Sequence, residues 1–405
     1  MNSKFTDEEI LRHTAALWKY KAVPSQNRIP EPATEYQSEC HTIGDWQVIG
    51  ASVRGKMHKH EGTNRDDWFE TENVHGFFVS AVSDGAGSKK FSRIGSRTSC
   101  RAAVLFIKNQ LTKLLTTQPR LLDDLSQNMD SHIFVSTAGL LTTILQKAMQ
   151  TARDAVVSAY ESRRNEPHYT AVIGRELVLS DFAATLLLTL AVPLPKIDEV
   201  LVVACQVGDG ITAVLNTRTD FDNSLTLLGI PDGGDFSGET DFLTSPKMAF
   251  TDNLMNRTRL SRKPMDLIFS MTDGVADDYD PNERELHRLY FDLIANRILM
   301  CHSFVENSNF KIPEAQMFPK VEIGDETRLA PIQFTTDLMA QNSLTLADVW
   351  KNPKPLSVMA EKIPLNSEQN SAVRLLEWLD NYTVRGSFDD RTLVIFRKKG
   401  DTCGQ

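Results

Sequence analysis

Strand-like and helix-like segments are grouped in this 405-residue chain, and that grouping most narrows the folds open to it. Strand patterns fall at 46–53 (WQVIGASV), 67–71 (DWFET) and 77–85 (FFVSAVSDG), with a turn between the last two. Two long helices follow, over 92–117 and 132–163. The second carries Leu140, Leu141, Ile144, Leu145 and Ala148 at helical spacing. Strands return at 181–192, 199–208, 211–215, 225–229 and 266–274, and one more closes the series at 391–398. Between the last two lies an insert over 280–385. It is helical at each end (282–300 and 367–382), and no pattern assigns its proline-bearing middle. Grouped elements of this kind favour α+β with largely antiparallel sheets over a doubly wound parallel sheet.

The flanks and the composition set further bounds. Residues 4–20 read as a short helix, with Thr6 and Glu9 as a capping box. Residues 23–40 are polar and proline-containing and read as a linker. The expected organisation is therefore a helix and linker over 1–40, one domain over 41–398 and a tail over 399–405. The formal charge is −9, from 53 acidic and 44 basic residues, which argues against a nucleic-acid partner. Cys40, Cys100, Cys205, Cys301 and Cys403 are odd in number and far apart, without a CxxC pair, so a reducing compartment is the simplest reading. The N-terminus has no apolar signal-peptide core, and no run approaches the ~20 apolar residues that span a bilayer. A cytoplasmic protein without membrane contact is expected.

Function is carried by where the aspartates fall. Asp84, Asp209 and Asp273 each end an apolar run, and Asp389–Asp390 immediately precede another. A single Asp-Gly after a strand is usually just a turn, and adjacent acids such as Asp66–Asp67 are usually solvated. The set of them beside strands suggests more. If the first hairpin turns at His75–Gly76, Asp67 and Asp84 face each other at its open end. Carboxylates gathered at one sheet edge repel one another unless cations neutralise them. Oxygen ligands without His or Cys in these motifs point to magnesium or manganese. Two such ions suit hydrolysis of a phosphate ester by a metal-activated water, and no G-x-S-x-G or Cys motif supplies a nucleophile instead.

Six segments resemble, in order, the motifs of the protein phosphatase 2C (PPM) family of metal-dependent serine/threonine phosphatases. They are GTNRDDWF, AVSDGAGS, DFAATLLLTL (with Ala184–Thr185), QVGDG, MTDGVADD and FDDRTLVIF. Their details look most like a bacterial branch. The resemblance implies a central β-sandwich of two antiparallel sheets flanked by helices, with a dinuclear metal centre at one end. It implies Asp67, Asp84, Asp273 and Asp389 as catalytic ligands of the two core ions, joined by the Gly85 carbonyl. Asp209 and Asp277 match a weaker third metal position, Asp390 fills a slot often held by Asn, and Asp66 stands behind the ligands.

Two departures from the family pattern stand out. The family's phosphate-gripping arginine slot falls near Gly62. The neighbouring cations are Arg54, His58, Lys59, His60 and Arg65, and Arg54 or His58 is the expected replacement. The histidine that follows Asp-Gly in animal members is Ala86 here, which leaves the general acid unassigned. By resemblance, 229–250 matches a flap, and 280–385 offers a docking surface for substrate or a cognate serine/threonine kinase. The implied activity is hydrolysis of phosphoserine and phosphothreonine in proteins. The alternatives are a pseudophosphatase that binds phosphoprotein and a nuclease-like phosphoesterase, the latter disfavoured by the acidic composition.

Overall fold

Most strands of this protein bury both faces, which explains why they read as near-continuous apolar runs. In the computed structural model, described over residues 19–26, 28–229, 240–249, 251–299, 311, 334–362, 370–382 and 388–399, two antiparallel sheets pack face to face between helical layers. One sheet has the order β1 (Tyr36–Ile43), β2 (Trp46–Val53), β11 (Arg391–Lys398), β10 (Leu267–Met271), β7 (Ile211–Leu215), β8 (Leu225–Leu227). The other runs β3 (Trp68–Val74), β4 (Phe77–Ser83), β5 (Leu186–Leu194), β6 (Glu199–Val207), β9 (Thr258–Lys263). This is the α+β sandwich expected.

Side chains of alternate parity feed separate cores. Val48, Val394, Phe396 and Ile268 meet Phe69, Phe78, Val82 and Val202 between the sheets. Ile49, Ala51, Phe269, Leu393 and Ile395 face outward to the insert helices Asn282–Ala295 and Ser371–Asn381. On the other side Val79, Ala81, Leu188 and Val203 pack on the helices Ser92–Thr117 and His132–Arg163, whose bounds match the sequence reading.

Two strands differ from expectation. Part of the linker at 23–40 is β1, paired with β2 over its whole length, so the boundary placed at 40/41 cuts through a strand. β9 (TRLSRK) also had no sequence signal. Both are edge strands with one paired neighbour and polar, half-exposed residues, so neither carries an apolar run. The unassigned middle of the insert contains the helices Phe334–Asn342, Leu346–Lys351 and Lys354–Lys362. The expected helix at 4–20 lies outside the described residues up to 18, as do 230–239 and 250 of the flap-like segment, much of the insert (300–310, 312–333, 363–369 and 383–387) and the tail from 400. No helix of the described residues is long and apolar enough to cross a membrane.

Strand register decides where the acids go. Trp68 pairs with Ser83, so the next pair outward is Asp67 and Asp84, and the hairpin turns at His75 and Gly76, both with positive φ. Leu186 pairs with Val207, which brings the Asp209 turn to the same edge. In the other sheet Met271 pairs with Leu393 and with Ile211, and Arg391 pairs with Val53. The ends of β2, β10 and the starts of β7 and β11 therefore share one rim, and the insert both leaves and re-enters the sheet there.

Candidate metal centre

At that rim Asp67, Asp84, Asp209, Asp273, Asp277 and Asp389 converge. Carboxylate oxygens of Asp84, Asp209 and Asp273 lie within 4.8 Å of one another. Burial raises the Asp84 and Asp273 carboxyls well above the usual range, and the surrounding negative charges add to it: Asp273, Asp67 and Asp389 around Asp84, and Asp209, Asp389, Asp67 and Asp277 around Asp273. Asp67 is raised to about 7, first by burial and then by Asp390. Asp277 and Asp389 shift upward for the same two reasons, burial and like charge.

Neighbours supplied by the fold hold the Asp67 and Asp209 carboxylates and the backbone that carries Asp84. Thr392 and Thr272 donate from Oγ1 to Asp67 Oδ2 at 2.7 and 2.9 Å. Thr185 accepts from the Asp84 backbone N–H through Oγ1 at 2.9 Å and donates its own N–H back to the Asp84 carbonyl at 2.8 Å. That exchange, with the Gly85–Ala184 bridge, explains the Ala184–Thr185 signature at the start of β5. The Gly208 turn at φ +115° presents Asp209, and Gln206 braces it by donating to the carbonyls of Gly208 and Gly210. Thr240, at the described end of the flap-like segment, donates to Asp209 Oδ2 at 2.5 Å.

Asp390 has a different task. Its Oδ1 accepts from the Gly55 N–H at 2.6 Å and from His58 Nδ1 at 2.8 Å, and its Oδ2 accepts from the Asp66 N–H at 2.5 Å. Burial alone would raise its pKa, but His58 and these donors hold it below the ordinary value. Burial would lower His58, yet the charge and hydrogen bond of Asp390 raise it to about 10, so the pair is an imidazolium–carboxylate bridge near neutrality. Asp66, buried beside the cluster, is pushed to about 7 by burial and then Asp390. Arg65 is buried beneath with its guanidinium 5.2 Å from the Trp68 ring, and burial lowers it to about 10 against the pull of Asp390 and Asp67.

The expectation for Arg54 needs correction. Its guanidinium is fully buried, pairs with Glu35 at 2.9 Å and donates to the His58 carbonyl at 2.9 Å. It tethers the short Lys56–Glu61 helix and is already committed to those partners, so it is no substrate grip. His58, on that helix, borders an open cleft together with Asp66 and Gly87. Ala86 is buried and has no proton to give. Sequence reasoning missed Thr272, Thr392 and Gln206 as positioning residues. The first two stood in the quoted MTDG and DDRT motifs, where they could have been read as donors to a carboxylate.

The residues present fit hard cations. The converging donors are oxygens. Asp67 Oδ1 and Asp209 Oδ1 are buried with no hydrogen-bond partner. Like charges crowded this closely disfavour ionisation unless divalent ions replace the lost water.

The Protein phosphatase 2C family profile matches residues 54–303, more than half of the chain. No curated protein sequence matches. Among solved structures, a bacterial serine phosphatase is 13% identical, with 88% of this chain and 98% of that chain covered and a TM-score of 0.38. The serine/threonine phosphatase Stp1 from Staphylococcus aureus is 13% identical, with coverages of 94% and 99% and a TM-score of 0.37. RsbX in complex with magnesium is 10% identical, with coverages of 89% and 99% and a TM-score of 0.32. The family assignment rests on the profile match, which spans the Asp67, Asp84, Asp209 and Asp273 motifs: this chain belongs to the protein phosphatase 2C family.

Proposed function

We propose that the chain hydrolyses phosphoserine and phosphothreonine esters of proteins at a dinuclear magnesium or manganese centre. Asp67, Asp84, Asp273, Asp389 and the Gly85 carbonyl would hold the two core ions, and Asp209 with Asp277 a third. The supporting observation is the convergence of these six carboxylates, from both sheets, at one rim. Bound there, divalent ions neutralise phosphoryl charge and make a water nucleophilic at neutral pH. The chain's own residues orient and balance. Thr272 and Thr392 aim Asp67, Thr185 fixes Asp84, and Asp390 locks the Lys56–Glu61 helix against the metal ligands. To His58, held charged by Asp390, we assign the task of attracting the substrate phosphate.

The test is hydrolysis of a small aryl phosphate and of a phosphothreonine peptide with added manganese. Turnover should vanish with chelator, and Asp84→Asn and Asp273→Asn should each lower kcat at least ~100-fold while the far-UV spectrum is unchanged. Wild-type turnover in either variant removes the metal assignment. Tight phosphopeptide binding without turnover in the wild type would make the chain a binding module instead.

A further inference from the structure

A second feature of the rim is a cleft whose lining includes the acids Glu61 and Asp66 together with His58, Lys89, Lys90 and Arg93. The Lys56–Glu61 helix forms one wall, the Gly87–Lys90 turn another, and Pro24 and Ile29 of the N-terminal segment close the third. Three facts mark it as more than a surface dent. The first is that its basic turn is built rigidly. The Lys89 N–H donates to the Ala86 carbonyl at 2.8 Å, Ser92 Oγ donates to the Lys89 carbonyl at 3.0 Å, and Arg93 clamps the Lys90 carbonyl.

The second fact concerns charge. Arg93 is buried, and among the described residues it donates to the backbone carbonyls of Pro30, Glu31 and Lys90. Its nearest carboxylates, Asp66 and Glu31, act on it only through space. Neither Lys89 nor Lys90 forms an ion pair among the described residues, although Lys89 lies near enough to Asp181 to influence it. The third fact is that Thr63 Oγ1, in the lining, is buried without a hydrogen-bond partner.

Fixed backbone under two ammonium groups that form no ion pair among the described residues suits an anionic side chain. Nothing in the metal centre uses these residues. The cleft shares His58 and Asp66 with the edge of that centre, so a ligand in it would neighbour the proposed phosphate site. An extended peptide advances ~3.3–3.6 Å per residue. An anion one or two residues from the scissile phosphate would lie ~3–7 Å along the chain from it, the scale of a neighbouring subsite. We infer that this cleft is a flanking subsite for a second negative charge on the substrate, so that the preferred substrates are phosphoserine or phosphothreonine segments with a carboxylate or another phosphate within two residues. The inference rests on the proposed phosphatase reading and names its substrate class.

The test separates the two. Fluorescein-labelled peptides carry a non-hydrolysable phosphonate in place of the target phosphate, with alanine, glutamate or phosphoserine at the flanking position on either side. Their affinities for the manganese-loaded full chain are measured by anisotropy, alongside hydrolysis of the corresponding phosphopeptides. The glutamate peptide should bind about threefold, and the phosphoserine peptide about tenfold, more tightly than the alanine peptide. In Lys89→Glu/Lys90→Glu the order should invert, and in Lys89→Ala/Lys90→Ala it should level. A glutamate preference would identify an acidic motif, and a preference for phosphoserine alone a doubly phosphorylated one. Equal affinities in the wild type, no binding, or a preference unaltered in both variants overturns the subsite. Failure of the phosphatase reading shows separately, as absent hydrolysis of every monoester.

Discussion

Asp390 shows how much one side chain organises here. It is buried, and it ties the Gly55 and Asp66 backbone N–H groups and the His58 imidazolium into one knot. Removing one partner of a buried ion pair leaves the other charge uncompensated, typically at ~3–5 kcal/mol. Asp390→Ala is therefore expected to lower the unfolding free energy by about 3 kcal/mol or more, read from urea denaturation. Asp390→Asn retains an acceptor for the N–H groups and should lose distinctly less. Equal losses in the two would mean that the hydrogen-bond acceptor is not what matters. The motif FDDRT exposes both acids to a reader of the sequence. It does not distinguish Asp389, which faces the other carboxylates, from Asp390, which faces away into the knot.

Close backbone approach governs the next level, where elements meet. Asp389–Asp390 runs between two glycines. A Cβ on Gly55 would sit 2.3 Å from the Asp389 carbonyl carbon, and one on Gly274 would sit 2.0 Å from the Asp390 carbonyl oxygen. These atoms are backbone and cannot swing aside. Gly274→Ala should therefore push the start of β11 off the Asp273 turn. The expected result is a loss of about 1–3 kcal/mol of stability and a fall in manganese affinity, measured by calorimetry. Retained affinity at reduced stability would show that the two turns can part without disturbing the acids. The same junction carries a buried ion pair. Arg391 reaches Asp278 at 2.5 Å and the Gly274 carbonyl at 2.7 Å, under the ring of Tyr382 at 4.4 Å. Asp380, from the last insert helix, pairs with Lys59 on the helix that carries His58. The insert is thus fastened to the metal rim at both of its ends.

Across the whole molecule, the dominant electrostatic fact is a bundle of carboxyls held against ionisation. Asp66 and Asp67 move from about 3.8 to about 7, and Asp84 and Asp273 rise as well. A carboxyl whose folded pKa is raised binds its proton more tightly in the folded state. Its contribution favours folding below the unfolded pKa and is lost as pH climbs through the folded one. In chelator, the melting temperature should therefore fall by about 5 °C or more between pH 5 and pH 8. Excess manganese should remove most of that slope by binding the folded state alone. A metal-free melting temperature that rises across this window would contradict the crowding of the acids.

The chain by itself determined its strands, its two long helices and the acids at the strand tips. Those features follow from local periodicity and from apolar runs buried on both faces. It left β1 and β9 unread, because an edge strand with one paired neighbour needs no apolar pattern. Only the tertiary structure decided which cations are free. Arg54 looks like a substrate grip in the sequence, but Glu35 and the His58 carbonyl claim it in the fold. His58 and Asp390 stand 332 positions apart, and no local pattern encodes their contact. Whether a charge is available or already matched depends on such distant partners, and the packing of the two sheets at their shared rim sets them.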